Sequence, residues 1–369
     1  MKKIAPEILV IGGGAAGLSA AAEAASAGAK VLVVESDLRL GGQLIKQTHK
    51  FFGSKDEYAG TRGYKIADIL LNEIDSFKDS VSILQNTTVT GYYTEDDTFT
   101  AMRGEEEVFQ IKPQKTIVAT GAQERLIPFP NNDLPGVYGA GAVQTLMNVY
   151  GVLPGKRVLM VGAGNIGLIV SYQLMQAGVE VAAIVEAGPR IGGYWVHAAK
   201  IRRMGVPILL RHSIKKALGE DVITGAVITG LNEKFEQVGP EEEIECDLIC
   251  IAVGLSPTTE LLSQAGCKMM YVPQLCGNVA QRDRTMRTSN PAFYTAGDAS
   301  GIEEASAAMV EGRIAGLSAA AALGYPTEHG KIDEYWSRLE SLRMGEAGAR
   351  ICQGIECVLV KGWEGASHE

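Results

Sequence analysis

No cysteine precedes Cys246 in this chain of 369 residues, and only six occur in all. So few in so long a chain exclude a scaffold built on disulfides. Cys246 and Cys250, in ECDLICIAVG, are expected on a buried strand, where cysteine behaves as a small apolar residue. Cys267 and Cys276 show no partner pattern. Positive charge is scarce too: 34 Lys and Arg against 43 Asp and Glu give a net charge of −9, without a basic run. That argues against a general binder of nucleic acid or anionic membrane. No stretch reaches the ~18 uninterrupted apolar residues of a transmembrane helix, so no integral membrane segment is expected. The N-terminal MKKIAPEILVIGGG sets two lysines before an apolar run, but glycines end the run within a few residues and no small-residue cleavage pattern follows. It reads as a first β-strand, and a cytoplasmic location is expected. No metal site is expected, and no catalytic dyad stands out.

Glycine, in contrast, is abundant at 44 residues, and its placement repeats. IGGGAAGL at residues 11–18 is answered by VGAGNIGL at 161–168. Ala27-Gly28 is then matched by Ala177-Gly178, Val31 by Val181, Glu35 by Glu186, Arg39 by Arg190 and Gly41-Gly42 by Gly192-Gly193.

In the first copy, residues 7–11 form a short β-branched run that reads as a strand buried on both faces. Gly12, Gly14 and Gly17 follow in the G-x-G-x-x-G spacing, and 18–27 read as a helix of small residues. The first glycine permits the tight turn, the second lets backbone approach a pyrophosphate, and the third lets helix pack closely on strand. The phosphates then lie at a helix N-terminus, where free N–H groups and the macrodipole favour anions. A strand at 30–34 ends in Glu35, placed to accept hydrogen bonds from a ribose diol. The second copy repeats this context. Residues 157–161 are its strand, Gly162, Gly164 and Gly167 its loop, 169–177 its helix and 179–185 its next strand, ending at Glu186. A carboxylate there accepts from a free 2′-hydroxyl and repels a 2′-phosphate, which favours NAD over NADP. Arg202 and Arg203 read as a solvated helix face rather than a phosphate clamp.

TIVATGA at 116–122, carrying Thr120 and Gly121, reads as a buried strand ending in a glycine turn, with LICIAVG at 248–254 as its counterpart. FYTAGDAS at 293–300 reads as a strand, then Gly297-Asp298, then a helix over about 303–323. An aspartate there can bond a ribityl hydroxyl of FAD, and the helix start can point positive dipole at the flavin N1–C2=O edge.

This set, with Gly41-Gly42-Gln43, resembles the two-dinucleotide-binding flavoproteins, the broad family of pyridine nucleotide-disulfide oxidoreductases. The resemblance implies an α/β fold with two Rossmann-like domains, the NAD domain inserted into the FAD domain. The FAD domain would be residues 1–125 and 256–325, the NAD(H) domain 135–255, and a tail 326–369 would follow. FAD and NAD(H) are the cofactors it implies, and Gln43 would lie close to the flavin. Lys46, Gln47, His49 and Lys50 follow at once. His49 tempts as an acid–base, but a plain loop histidine in a polar segment accounts for it better. His197 reads as a helix residue, and Tyr194 and Trp195 as buried packing, with stacking on a cofactor or partner as the alternative.

Disulfide reductases of the family carry a C-x-x-C or C-x4-C pair near the flavin, and this chain has neither there. LPGVYGAGAVQTLMN, GGYWVHAAKIRRMGVPIL and IAVGLSPTTEL are similar instead to the FAD subunits of heteromeric amine, amino-acid and opine dehydrogenases or oxidases. That group includes hydrogen cyanide synthase, opine oxidase, dye-linked proline dehydrogenase and part of sarcosine oxidase. It implies a second flavoprotein subunit that handles the small-molecule substrate, with a homo-oligomer or a non-catalytic nucleotide-binding scaffold as alternatives. Longer members end in a [2Fe-2S] module with C-x-C and C-x4-C pairs. Here only Cys352 and Cys357 echo the second pair, and two thiolates cannot complete a four-thiolate cluster. An inert remnant, a metal or cluster shared with a partner, and a redox disulfide remain open, since a four-residue gap on a helix or turn would bring the sulfurs near each other. The tail's Tyr335, Trp336, Leu339, Leu342 and Trp363 suit packing back on the FAD domain or docking to another subunit.

Overall fold

The structure, a computed structural model, describes residues 1–363, so the last six residues of the tail lie outside it. The chain divides into two compact units, residues 1–123 with 256–369, and residues 124–255.

The first unit is built on a five-stranded parallel sheet. Its order is Phe293–Thr295, Lys115–Val118, Ile8–Ile11, Val31–Val34 and Val81–Leu84. The three central strands are apolar on both faces because both faces are covered, as parallel sheets require. A four-stranded sheet joins Lys2–Ile4, Glu107–Ile111, Thr98–Arg103 and Thr87–Tyr93, with Phe99 and Phe109 buried. On the other face lie two helices of small residues, Ala15–Ser26 and Ala305–Ala321. Their composition is explained by their approach. A Cβ on Gly312 would collide with the carbonyl oxygen of Ala16, and one on Gly316 with that of Ala20. The tail packs back on this unit through the helices Lys331–Leu342 and Gly345–Val358. Tyr335, Trp336 and Leu339 are buried in the core, and the Trp336 indole N–H donates to the Arg284 carbonyl at 2.8 Å.

The second unit repeats the plan. Its parallel sheet runs Val137–Gly139, Leu248–Ile251, Arg157–Val161, Glu180–Glu186 and Ile208–Leu210. An antiparallel meander of His212–Gly219, Ile223–Leu231 and Gln237–Glu245 stands beside it. Register repeats as well: Ile11 lies between Val34 and Val118, and Val161 between Val185 and Ile251.

Both cradle helices start earlier than their glycine spacing suggests, at Ala15 and Asn165 instead of 18 and 169. Gly14 and Gly164 are the N-caps, so Gly17 and Gly167 sit inside the first turn. A helical glycine looks like a breaker in sequence. Here it is required, because a Cβ on Gly17 would meet the Gly12 carbonyl, and one on Gly167 the Gly162 carbonyl.

Candidate dinucleotide sites

The carboxyl ends of four adjacent strands gather the residues singled out in the first unit. Ile8–Ile11 delivers Gly12, Gly14 and Gly17, and Val31–Val34 delivers Glu35. Lys115–Val118 delivers Thr120 and Gly121, and Phe293–Thr295 delivers Gly297 and Asp298. Parallel α/β sheets bind ligands at this edge. Gly12 has φ +106°, a left-handed value that suits glycine, and a Cβ there would strike the Ala119 carbonyl. Gly14 differs. Its φ is an ordinary −83°, and a Cβ would meet only the Gly42 Cα at 3.8 Å. Packing does not require glycine at 14, so a cradle remains that a side chain would fill. The helix it caps has no side-chain cap and no acid in its first turn. Its first amides therefore need acceptors, which a pyrophosphate supplies.

Glu35 is buried and tied to the loop. Its Oε2 accepts from the Gly13 amide at 2.6 Å, and its Oε1 from the Asp37 amide at 2.7 Å and the Ser36 hydroxyl at 3.1 Å. The Thr120 hydroxyl donates to the Thr258 carbonyl at 2.6 Å. Gly42 packs so tightly on the loop that a Cβ would lie 2.9 Å from the Gly14 Cα, which places exposed Gln43 beside the cradle. Lys46 ends the short Gly42–Lys46 turn, and His49 lies in the following loop with its ring stacked on Phe51 at 5.8 Å. Asp298 Oδ1 accepts from the Glu303 amide at 3.4 Å. Burial pushes its carboxyl up to about 6; the amide opposes this and the charges of Glu311 and Glu304 add to it.

The second unit reproduces the device. Gly162 has φ +111° against the Ala252 carbonyl, and no protein atom lies within 4 Å of a Cβ on Gly164. The Asn165–Gln176 helix is likewise uncapped by a side chain. Glu186 Oε2 accepts from the Ala163 amide and Oε1 from the Gly188 amide, both at 2.8 Å. The residues present thus fit a dinucleotide in each unit.

Two expectations need correction. Trp195 is 69% exposed and Tyr194 42%, rather than buried, because Tyr194 caps the Trp195–Arg203 helix and that helix buries His197, Ala198 and Ile201 instead. Arg202 lies over the Trp195 ring at 5.6 Å. Cys352 and Cys357 share the Gly345–Val358 helix, where five residues turn one side chain about 140° from the other and lift it about 7.5 Å. They do not face each other, and both are free thiols. Among the described residues no three His, Cys, Asp or Glu side chains are grouped to hold a metal, and no helix is long and apolar enough to cross a membrane.

One group leaves almost no trace in the sequence: Glu303, Glu311, Arg282 and Arg343, a buried ion cluster under the Gly297–Ser300 turn. A lone acid in the alanine-rich run that holds Glu311 was its only local signal.

A model of the pyridine nucleotide-disulphide oxidoreductases matches residues 6–312. The chain belongs to that family. The family inferred from the glycine loops is therefore the family found, and the chain is an FAD-dependent oxidoreductase with FAD and NAD(P) as cofactors. It is similar to an opine oxidase subunit from Rhizobium meliloti, 28% identical over 86% of this chain and 63% of that one. The hydrogen cyanide synthase subunit HcnB of Pseudomonas protegens is 27% identical over 84% of this chain and 69% of that one. Among solved structures, L-proline dehydrogenase from P. horikoshii matches with a TM-score of 0.69 at 21% identity, over 92% of this chain and 59% of that one, a likeness of fold. The chain thus spans under two thirds of its opine oxidase relative.

Proposed function

We propose that the first unit holds FAD and the second NAD(H), and that hydride passes between them. In this reading the chain is one subunit of a heteromeric amine, amino-acid or polyol-phosphate dehydrogenase, whose second flavoprotein subunit oxidises the substrate. The duplication carries the proposal: two cradles in one chain, each with an uncapped helix start, an open glycine and a tethered carboxylate.

Bound FAD supplies a ring that takes up a hydride equivalent and passes electrons on. The chain's own part is binding and orientation. In the first unit the amides from Gly14 to Gly17 take the pyrophosphate, Glu35 the ribose diol, and Asp298 a ribityl hydroxyl. Thr120, Gly121 and Gly297 shape the strand ends around it, and Gln43, with Lys46 and His49 beyond, is assigned to the ring. In the second unit Gly162, Gly164 and Gly167 take the nicotinamide dinucleotide, and Glu186 favours NAD by repelling a 2′-phosphate. Hydride transfer needs orientation and a dry site more than acid–base groups, which suits a chain without an evident dyad. The lack of cysteine before Cys246 weighs against disulfide reduction.

A partner is supported by the relatives, which are themselves named as subunits. The test is to purify the chain from its own cells, identify what accompanies it, and assay both forms with amines, amino acids and glycerol phosphate plus a dye. The complex should oxidise one of these and the isolated chain none. Robust oxidation by the isolated chain would overturn the subunit reading.

A further inference from the structure

The Gly297–Ser300 turn, to which the proposed function assigns the ribityl side of FAD, is held from beneath by side chains distant in sequence. Glu311 Oε2 accepts from the Gly297 amide at 3.0 Å and the Ser300 hydroxyl at 2.5 Å. Arg282 Nη1 donates to the Ser300 carbonyl at 2.9 Å. The other Glu311 oxygen faces Arg343 Nη2 at 2.8 Å and Arg282 Nη2 at 3.7 Å. Arg343 Nε also donates to both oxygens of Glu303, at 3.0 and 3.1 Å, and the Glu303 amide donates to Asp298. One guanidinium, at the end of the Lys331–Leu342 helix, therefore holds Glu311, which grips both ends of the turn, and Glu303, whose backbone amide bonds Asp298 within it.

The four side chains are between 2% and 8% exposed, and their charges cancel. A buried ion set of this kind is a weak source of stability compared with apolar packing, but it is demanding in geometry. Loss of one cation leaves a buried carboxylate that must protonate or move. Either response changes the acceptor offered to the Gly297 amide.

We propose that Arg343 is a positioning residue for FAD: through Glu311 and Glu303 it sets the Gly297–Ser300 turn, and with it Asp298, against the cofactor. The proposal rests on the reading that the first unit holds FAD. It also gives the tail a role within this chain, since Arg343 is docked by the same helix that buries Tyr335, Trp336 and Leu339.

The test compares the full chain with Arg343→Met, Arg343→Lys and Arg338→Met. Arg338 lies on the same helix, but it pairs with Glu57 and takes no part in the cluster. The readouts are FAD affinity of the apo-protein, flavin midpoint potential and melting temperature. Arg343→Met should weaken FAD binding about tenfold and move the potential, and Arg343→Lys should recover most of both. Arg338→Met should lower the melting temperature and leave FAD affinity within about twofold of the parent. If Arg343→Met cannot be purified, Glu311→Gln serves: it should weaken FAD binding about threefold and move the potential. Parental affinity and potential in Arg343→Met or Glu311→Gln, with only a lower melting temperature, would overturn the proposal. A parent chain that takes up no FAD would instead overturn the reading beneath it.

Discussion

The two cradles share strand register, glycine geometry and a carboxylate tied to the loop, yet their surroundings differ. The first cradle helix is covered by Ala305–Ala321, whose Gly312 and Gly316 rest on its carbonyls, and nine of its twelve residues are buried against seven of twelve in the second. The second has an exposed Ile166 in its first turn and is braced within its unit by a buried hydrogen bond from Gln144 to Gln173. After the second strand of each unit, Gly41-Gly42 leads into a short turn carrying Gln43, and Gly192-Gly193 into the exposed Tyr194 and Trp195. The same backbone device can serve a cofactor that stays and a nucleotide that exchanges. What differs is how much of the chain is built around it.

The largest effect tests that covering. Gly312→Ala places a methyl against the Ala16 carbonyl and should destabilise the first unit by about 3 kcal/mol, read from a denaturant midpoint. A loss under ~0.5 kcal/mol would mean that the helices part easily and the covering is loose. Next comes the pair Gly14→Ala and Gly164→Ala, whose methyl groups meet no protein atom closer than 3.8 Å. The first should cost FAD affinity about thirtyfold and the second NADH affinity by a similar factor, each leaving the other ligand and the apo-protein's melting unchanged. Loss of FAD in Gly164→Ala would reverse the assignment.

The cradles were legible in sequence because glycine spacing, β-branched runs and a terminal acid are all local signals. The helix starts were not, because Gly17 and Gly167 resemble breakers until the carbonyls beneath them are seen. Bulk suggests burial for Trp195, whereas its helix turns another face inward. The Arg282–Glu303–Glu311–Arg343 cluster joins a loop, the start and middle of one helix and the end of another, and no window of sequence contains it. Cys352 and Cys357 needed the helix itself to show that their sulfurs diverge.

Smaller effects sharpen the comparison at its acids. Glu186→Ser should narrow the preference for NADH over NADPH about tenfold in flavin reduction, while Glu35→Ser should act on FAD retention alone. Equal rates with both nucleotides in the parent would remove the argument from Glu186. Asp298→Asn should be mildly stabilising in the apo-protein. Its carboxyl is raised to about 6, so the folded state holds the proton more tightly than the unfolded one, and the ionised group costs stability above that pH. The gain should be on the order of 1 kcal/mol or more at pH 7, shrink as pH falls from about 6, and vanish below about 3, where the parent is protonated in both states. A gain that persists at low pH would point to packing instead.

The most direct measurement is an anaerobic titration of the purified yellow protein with NADH, followed by flavin absorbance. Two cradles working as a pair predict one flavin per chain, bleached by about one equivalent of NADH and more slowly by NADPH. A flavin that keeps its full absorbance with either nucleotide, although both bind, would contradict hydride transfer and leave the second cradle a structural nucleotide site.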